Sequence, residues 1–138
     1  MVVTHRISLK TQGNGEMQDI TPQVGRVVVE SGVRAGIATL FVPGSTAGLT
    51  TIEFEPGAAA DFAEALNRIA PPGLDYHHHQ RWGDYNGHSH VQAALLGPSL
   101  TVPLVNGQLT LGQWQQIVLV DFDTRGRSRD VVVQIMGE

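Results

Sequence analysis

The amino-acid sequence predicts an α+β fold: a single compact domain spanning residues 1–138, with a mainly antiparallel β-sheet and two or three helices. Three observations lead there. Apolar residues at helical spacing fall in the first half, Val24, Val27 and Val28 and then Phe62, Leu66 and Ile69, whereas short β-prone runs dominate the second half. Asn106-Gly107 lies between two such runs and is the strongest short hairpin signal, which makes the flanking strands antiparallel. With 138 residues, 41% of them hydrophobic, the chain is long enough to bury a real core and fits one domain.

The elements follow in order. Val3, His5, Ile7 and Leu9 alternate with Thr4, Arg6, Ser8 and Lys10, the period of a half-buried strand. Gly13, Asn14 and Gly15 make a turn. Thr21-Pro22 reads as an N-cap followed by proline at the first helical position, and Gly32 is placed to end that helix. Gly36 to Val42 and Ala47 to Phe54 are β-prone runs joined by Pro43-Gly44-Ser45-Thr46. Pro56-Gly57 precedes an amphipathic helix that buries Phe62, Leu66 and Ile69, and Pro71-Pro72-Gly73 stops it. Residues 74 to 88 show no sustained period and read as a long ordered loop, a length at which loops are often functional. Val91 to Leu96 is expected as a short helix. Ser99 to Val105, Gln108 to Leu111, Gln116 to Phe122 and Asp130 to Met136 are expected as strands, giving about seven in all.

Composition excludes several classes of function. A net charge of −4 gives no global basic field for a nucleic-acid backbone. The absence of cysteine removes disulfides, thiolate catalysis and Cys-ligated zinc. No apolar run approaches the roughly 20 residues that cross a bilayer, and Met1 to Lys10 does not resemble a signal peptide. The expected location is cytoplasmic, with neither nucleic acid nor membrane as partner.

Five of the six histidines, His77, His78, His79, His88 and His90, fall between positions 77 and 90, with Asp84 and Asn86 among them. Histidine titrates near neutrality and is the commonest metal ligand. In a strand His88 and His90 would share one face and converge on an ion; at a helix start they would diverge. A solvated polar loop with a few packed imidazoles is the plainer reading of the same residues. Ser45-Thr46 offers hydroxyls to an anionic group, or forms an ordinary turn. Asp121 lies in the apolar run Ile117–Val120, so burying it is costly unless it is paired. Arg125, Arg127 and Arg129 supply that pairing, or form a solvated strand face. Trp114-Gln115 most simply gives core packing and an amide hydrogen bond.

Ser99-x-x-Val102-x-Leu104-x-x-Gly107, followed by Gly112-x-Trp114-Gln115-x-Ile117, resembles the signature of the YjbQ family, also called UPF0047. Asp19-Ile20-Thr21, Val42-Pro43 through Glu53, and Tyr76 through Ser99 match in order, so the resemblance extends over nearly the whole chain. It implies a YjbQ-like α+β domain that assembles as a homotrimer, and a secondary thiamine-phosphate-synthase activity. That reaction joins a pyrimidine diphosphate to a thiazole phosphate, with Trp82 or Tyr85 as the wall for the pyrimidine. The resemblance also implies a pocket for a metal or a small phosphorylated or anionic ligand. The matching positions are Ser45, Thr46, Glu53, His78, Asp84, Asn86, His90 and Gln115. On this reading His78, His90, Glu53 and Asp84 are catalytic, and Ser45, Thr46, Asn86, Gln115, Arg125 and Arg127 bind the anion. A divalent ion, zinc or magnesium, would be held by His78, His88 and His90. Two departures stand out: the family usually has histidine where this chain has Gly44, and Gln113 replaces a threonine. Alternatives are a metal-assisted hydrolase or lyase in the same pocket, or a non-enzymatic anion-binding trimer with a degraded site.

Overall fold

The computed structural model describes residues 1–81 and 83–138, and its organising strand is one buried on both faces. Strand β7 (Gln116–Asp121) sends Ile117 and Leu119 into one apolar cluster and Val118 and Val120 into another. All four are at most 1% exposed, which explains why the sequence here is a continuous apolar run rather than an alternation. β7 pairs antiparallel on one side with β2 (Glu16–Asp19) and on the other with β4 (Ala47–Ile52). A second, five-stranded sheet has β1 (Val2–Lys10) at one edge. Next come β8 (Ser128–Gly137), β3 (Gly36–Phe41), β5 (Ser99–Val105) and the two-residue β6 (Gln108–Leu109). Every pairing is antiparallel.

The larger cluster joins Leu49, Ile117 and Leu119 of the small sheet to Ala38, Leu40, Val131, Val133 and Ile135 of the large one. Helix α1 (Thr21–Ser31) adds Val24, Val27 and Val28. On the other face of β7, helices α2 (Pro56–Ile69) and α3 (Gly87–Leu96) supply Leu66 and Ala93 against Val118, Val120 and Phe122. The small sheet is therefore a middle layer, and its end at Asp121 emerges beside the start of α3.

Several expectations need correction. Among the described residues eight strands form, where about seven were expected. The extra one, β2, is four half-buried residues whose pairing comes from the β7 backbone and not from an apolar pattern. Thr21 is the first residue of α1 rather than its cap; its hydroxyl accepts from Ile117 N–H while Asp19 Oδ1 accepts from Thr21 N–H. Gly32 does close the helix, at φ 70°. Pro56 lies inside α2, capped by the Glu55 carboxylate, and Ile69 is 66% exposed because the helix meets the core mainly through Leu66. The stretch 74–88 contains a 3₁₀ turn (His77–Gln80), and α3 begins at Gly87, four residues before the expected start. Trp114 is 66% exposed, in the turn ahead of β7, so it is not core packing. Its neighbour Gln115 does make the amide bonds, donating to Thr51 Oγ1 and accepting from Gly112 N–H. No helix among the described residues is long and apolar enough to cross a membrane.

Candidate functional site

Where β7 ends, two carboxylates enter the protein interior. Asp121 and Asp123 are 0% and 2% exposed, and isolated charges at such depth would be strongly unfavourable. Each is saturated with donors. Arg129, at the start of β8, donates from Nε to Asp121 Oδ2 at 2.8 Å and from Nη2 to Oδ1 at 3.0 Å, the two-point geometry that suits guanidinium and carboxylate. Thr11 Oγ1 adds a bond to Asp121 Oδ2 at 2.6 Å, and the Asp123 N–H one to Oδ1 at 3.0 Å. Asp123 in turn accepts from Thr124 N–H at 2.8 Å, Asn86 Nδ2 at 3.2 Å, Thr46 Oγ1 at 3.1 Å and Arg127 Nε at 3.0 Å. Arg129 Nη2 also donates to Thr46 Oγ1 at 2.6 Å, linking the two carboxylates into one network. Burial raises both carboxyl pKa values, but these hydrogen bonds outweigh it. Asp121 is held below its ordinary value, and Asp123 falls to about 2.

Above this network lie the histidines, divided by α3. As residues i and i+2 of a helix, His88 and His90 diverge, the helical alternative of the two the sequence left open. His90 turns toward a cavity of about 210 Å3 lined by Gly44, Ser45, Ala47, Ala93, Ala94 and Pro98. Its ring also meets His78, with centroids 4.4 Å apart and planes at 39°. His78 Nδ1 is 3.8 Å from Asp84 Oδ1 and makes no hydrogen bond. Burial lowers the His90 pKa, the nearby His78 adds to this, and Asp123, Asp84 and a hydrogen bond to the Ser45 backbone oppose it without reversing it. His90 is therefore a neutral imidazole at pH 7. A neutral imidazole keeps one ring nitrogen as an acceptor.

His88 faces a different cavity, of about 330 Å3, with Met17, Leu66, Tyr85, Gln92 and Phe122 among its walls. Its Nδ1 is buried without a partner, and burial lowers its pKa, assisted by His79 and opposed by Asp123. His79 Nε2 accepts from Gly87 N–H at 3.2 Å, so that imidazole helps hold the start of α3. His77 is exposed.

Seven predicted site residues, Ser45, Thr46, His78, Asp84, Asn86, His90 and Arg127, thus gather around the end of β7 and the start of α3. Others do not join them. Glu53 is exposed in the loop after β4, and Gln115 is bonded to Thr51 beside a separate cavity of about 450 Å3. Arg125 is exposed in the turn before β8, and Arg127 is bound to Asp123, so its charge is largely offset within the chain. The trio His78, His88 and His90 does not converge, and no three histidine or carboxylate side chains among the described residues form a metal-holding group. Catalytic zinc sites use three protein ligands. One chain offers two imidazoles with Asp84 Oδ1 3.8 Å from the first. Trp82 lies outside the described residues. Sequence reasoning anticipated the pairing of Asp121 with an arginine but missed Asp123. The spacing carried a signal: Asp121-x-Asp123 and Arg127-x-Arg129 each put like charges on one side of an extended chain, ready to face each other across a turn.

Fold and site together define a class: an antiparallel α+β domain carrying a histidine pair beside a neutralised, buried Asp/Arg network. The chain belongs to the YjbQ family, described as UPF0047 protein YjbQ-like, which matches residues 5–138. A UPF0047 protein of Archaeoglobus fulgidus is 38% identical over 130 residues, covering 94% of this chain and 98% of the relative. One from Methanothermobacter thermautotrophicus is 36% identical over 137 residues, covering 99% and 94%. Among solved structures, a hypothetical protein from Aeropyrum pernix K1 superposes with a TM-score of 0.91 at 31% identity over 99% of both chains. A YjbQ/UPF0047 family protein from Clostridium acetobutylicum gives 0.87 at 37%, covering 96% and 99%. The family and fold expected from the sequence are both borne out.

Proposed function

We propose that this chain is an acid–base enzyme of the secondary thiamine-phosphate-synthase type, acting on a small phosphorylated ligand at the His78–His90 pair. The observation that carries the reading is that pair: two imidazoles with ring centroids 4.4 Å apart, of which His90 is neutral at pH 7 and lines a cavity. A neutral imidazole has one unprotonated ring nitrogen that can act as a base. As the C–O bond breaks and diphosphate leaves, His90 takes a proton from the pyrimidine's amino group. It returns that proton once the thiazole nitrogen, which has no proton to give up, has attacked with its lone pair. His78 lies beside His90, and Asp84 offsets the charge that develops. Asn86 and Thr46, fixed by Asp123, position the floor below.

The cavity of about 210 Å3 is small beside the roughly 300–1,000 Å3 of ordinary ligand sites. Two phosphorylated heterocycles need more room than one chain supplies, which supports completion of the site by a neighbouring subunit in a homotrimer. The exposed Trp114 fits that assembly, since a large aromatic gains most when buried against a partner. A divalent ion enters this scheme with the substrate's phosphates, the usual mode for magnesium. The same small cavity favours a second reading, a hydrolase or lyase with one small phosphate ester as substrate, or an anion-binding trimer without turnover.

The test supplies the pyrimidine diphosphate and thiazole phosphate with magnesium and measures thiamine phosphate by fluorescence after oxidation. Product is expected from the wild type and about 100-fold less from His90→Gln, at unchanged melting temperature. No product, or undiminished product from His90→Gln, would sink the reading. Release of phosphate from a simple ester without a second substrate would select the hydrolase.

A further inference from the structure

The cavity of about 330 Å3 on the His88 side of α3 has no part in the reaction proposed at the His78–His90 pair. Met17, Leu66 and Phe122 give it apolar walls, and among the described residues that line it none is Asp, Glu, Lys or Arg. His88 brings no charge either, because burial lowers its pKa and leaves the imidazole neutral at pH 7. Two amides supply polarity, Gln92 from α3 and Asn67 from α2. Gln92 is only 4% exposed, and its Nε2 donates to Ala70 O and to Asn67 Oδ1, both at 2.9 Å. A backbone carbonyl can only accept, so the Ala70 bond fixes which end of the Gln92 amide is nitrogen. The bond to Asn67 then fixes the second amide in the same way. Gln92 Oε1 is left as an acceptor and Asn67 Nδ2 as a donor. Among the described residues no group donates to Gln92 Oε1, yet it is not one of the buried unpartnered atoms sealed from water.

We propose that this cavity is a second binding site, for an uncharged planar nitrogen heterocycle of one or two rings whose ring N–H donates to Gln92 Oε1. The volume sets the size: an apolar cavity of about 150 Å3 houses benzene, and this one is roughly twice as large. The walls set the class. A phosphorylated or otherwise charged group would lose its hydration there with no counter-charge to replace it. Gln92 sets the orientation, with the ring N–H turned inward and a ring acceptor toward the exposed Asn67 at the rim. Both hydrogens of the Gln92 amide are already held, so the contact requires no further ordering of that side chain. A heterocycle lacking the N–H would cover Oε1 and leave it unbonded. The site stands apart from the acid–base reading, whose phosphorylated ligand it would reject.

The experiment titrates the full chain with carbostyril, an uncharged two-ring lactam. NMR follows the Gln92 and Asn67 side-chain amides and the Met17 and Leu66 methyl groups. All four are expected to shift saturably in the wild type. N-methylcarbostyril, the same rings with the donor replaced by a methyl group, should bind at least about 10-fold more weakly. Inorganic phosphate should move none of the four. Ala63→Leu, which fills the cavity from α2, should abolish the carbostyril shifts. The two probes are compared on the wild type, so the inference is decided even if Ala63→Leu folds poorly. No shift at Gln92 at millimolar carbostyril, equal affinity for the two lactams, or undiminished binding by a folded Ala63→Leu chain overturns the site. The thiamine phosphate assay decides the acid–base reading separately, and neither result carries over to the other.

Discussion

Replacing Asp123 by asparagine removes one charge from the buried network at nearly constant shape. The Asp123 carboxyl is held at about 2 against an ordinary 3.8. At about 1.4 kcal/mol per pH unit, this difference corresponds to about 2 kcal/mol of native-state stabilisation at pH 7. Asparagine adds a further penalty, because both Asp123 oxygens accept hydrogen bonds, from Thr124 and Asn86 on one side and Thr46 and Arg127 on the other. An amide must turn its NH2 toward one of these pairs of donors, which costs about 1–2 kcal/mol more. The expected loss is roughly 3–4 kcal/mol, a fall in melting temperature on the order of 10–15 °C for a domain of this size. Urea unfolding followed by far-UV circular dichroism measures it. The sign of the pH dependence follows from the lowered folded-state value: the stabilisation is complete above 3.8 and is lost as pH falls toward 2. By pH 3 about 1 kcal/mol of it should be gone, so the wild-type advantage over Asp123→Asn should narrow by that amount between pH 7 and pH 3. A gap that stays constant over this range, or a loss under about 1 kcal/mol at pH 7, would refute the account of the network.

Four further outcomes are expected. Leu119→Ala, at a site 1% exposed in the middle layer, should lower stability by about 2–5 kcal/mol in the same unfolding assay. Gly36→Ala places a Cβ 2.0 Å from the Met136 carbonyl oxygen between paired strands, so a loss of roughly 3 kcal/mol or insoluble expression is expected. Glu55→Ala removes the carboxylate that accepts from Gly57 and Ala58 N–H at the start of α2, and should lower the melting temperature by the equivalent of about 1 kcal/mol. The His90 pKa is lowered, so the proposed activity should be level from pH 7.5 to 6.5 and fall only below the ordinary histidine value. A midpoint above pH 6.5 in the rate profile would show that another group controls the reaction.

What the sequence disclosed depended on whether a residue's role was set by neighbours along the chain or across it. Strand β1 was legible because one face is half-buried and the other exposed, so alternation survives in the letters. Strand β2 was not, because Glu16–Asp19 has no apolar pattern and exists only as a partner of the β7 backbone. Gly87-His88-Ser89-His90 is a weak helix former by propensity, which is why its conformation stayed open. Contacts from elsewhere decide it. Ser89 Oγ donates to the Phe122 carbonyl, and Gln92 Nε2 donates to Ala70 O and to Asn67 Oδ1 at 2.9 Å, tying α3 to β7 and α2. That tertiary choice sends His88 and His90 to different cavities, with no change in any residue. The acidic floor shows the same division. Asp121 could be matched with an arginine by local spacing, but Thr11, Thr46 and Asn86 reach the carboxylates from 110, 77 and 37 residues away, respectively. The consequence for Gly44 is concrete. Read along the chain it is a lost imidazole; read across the fold it is clearance for Arg129, whose Nη1 would stand 2.8 Å from a Cβ at that position.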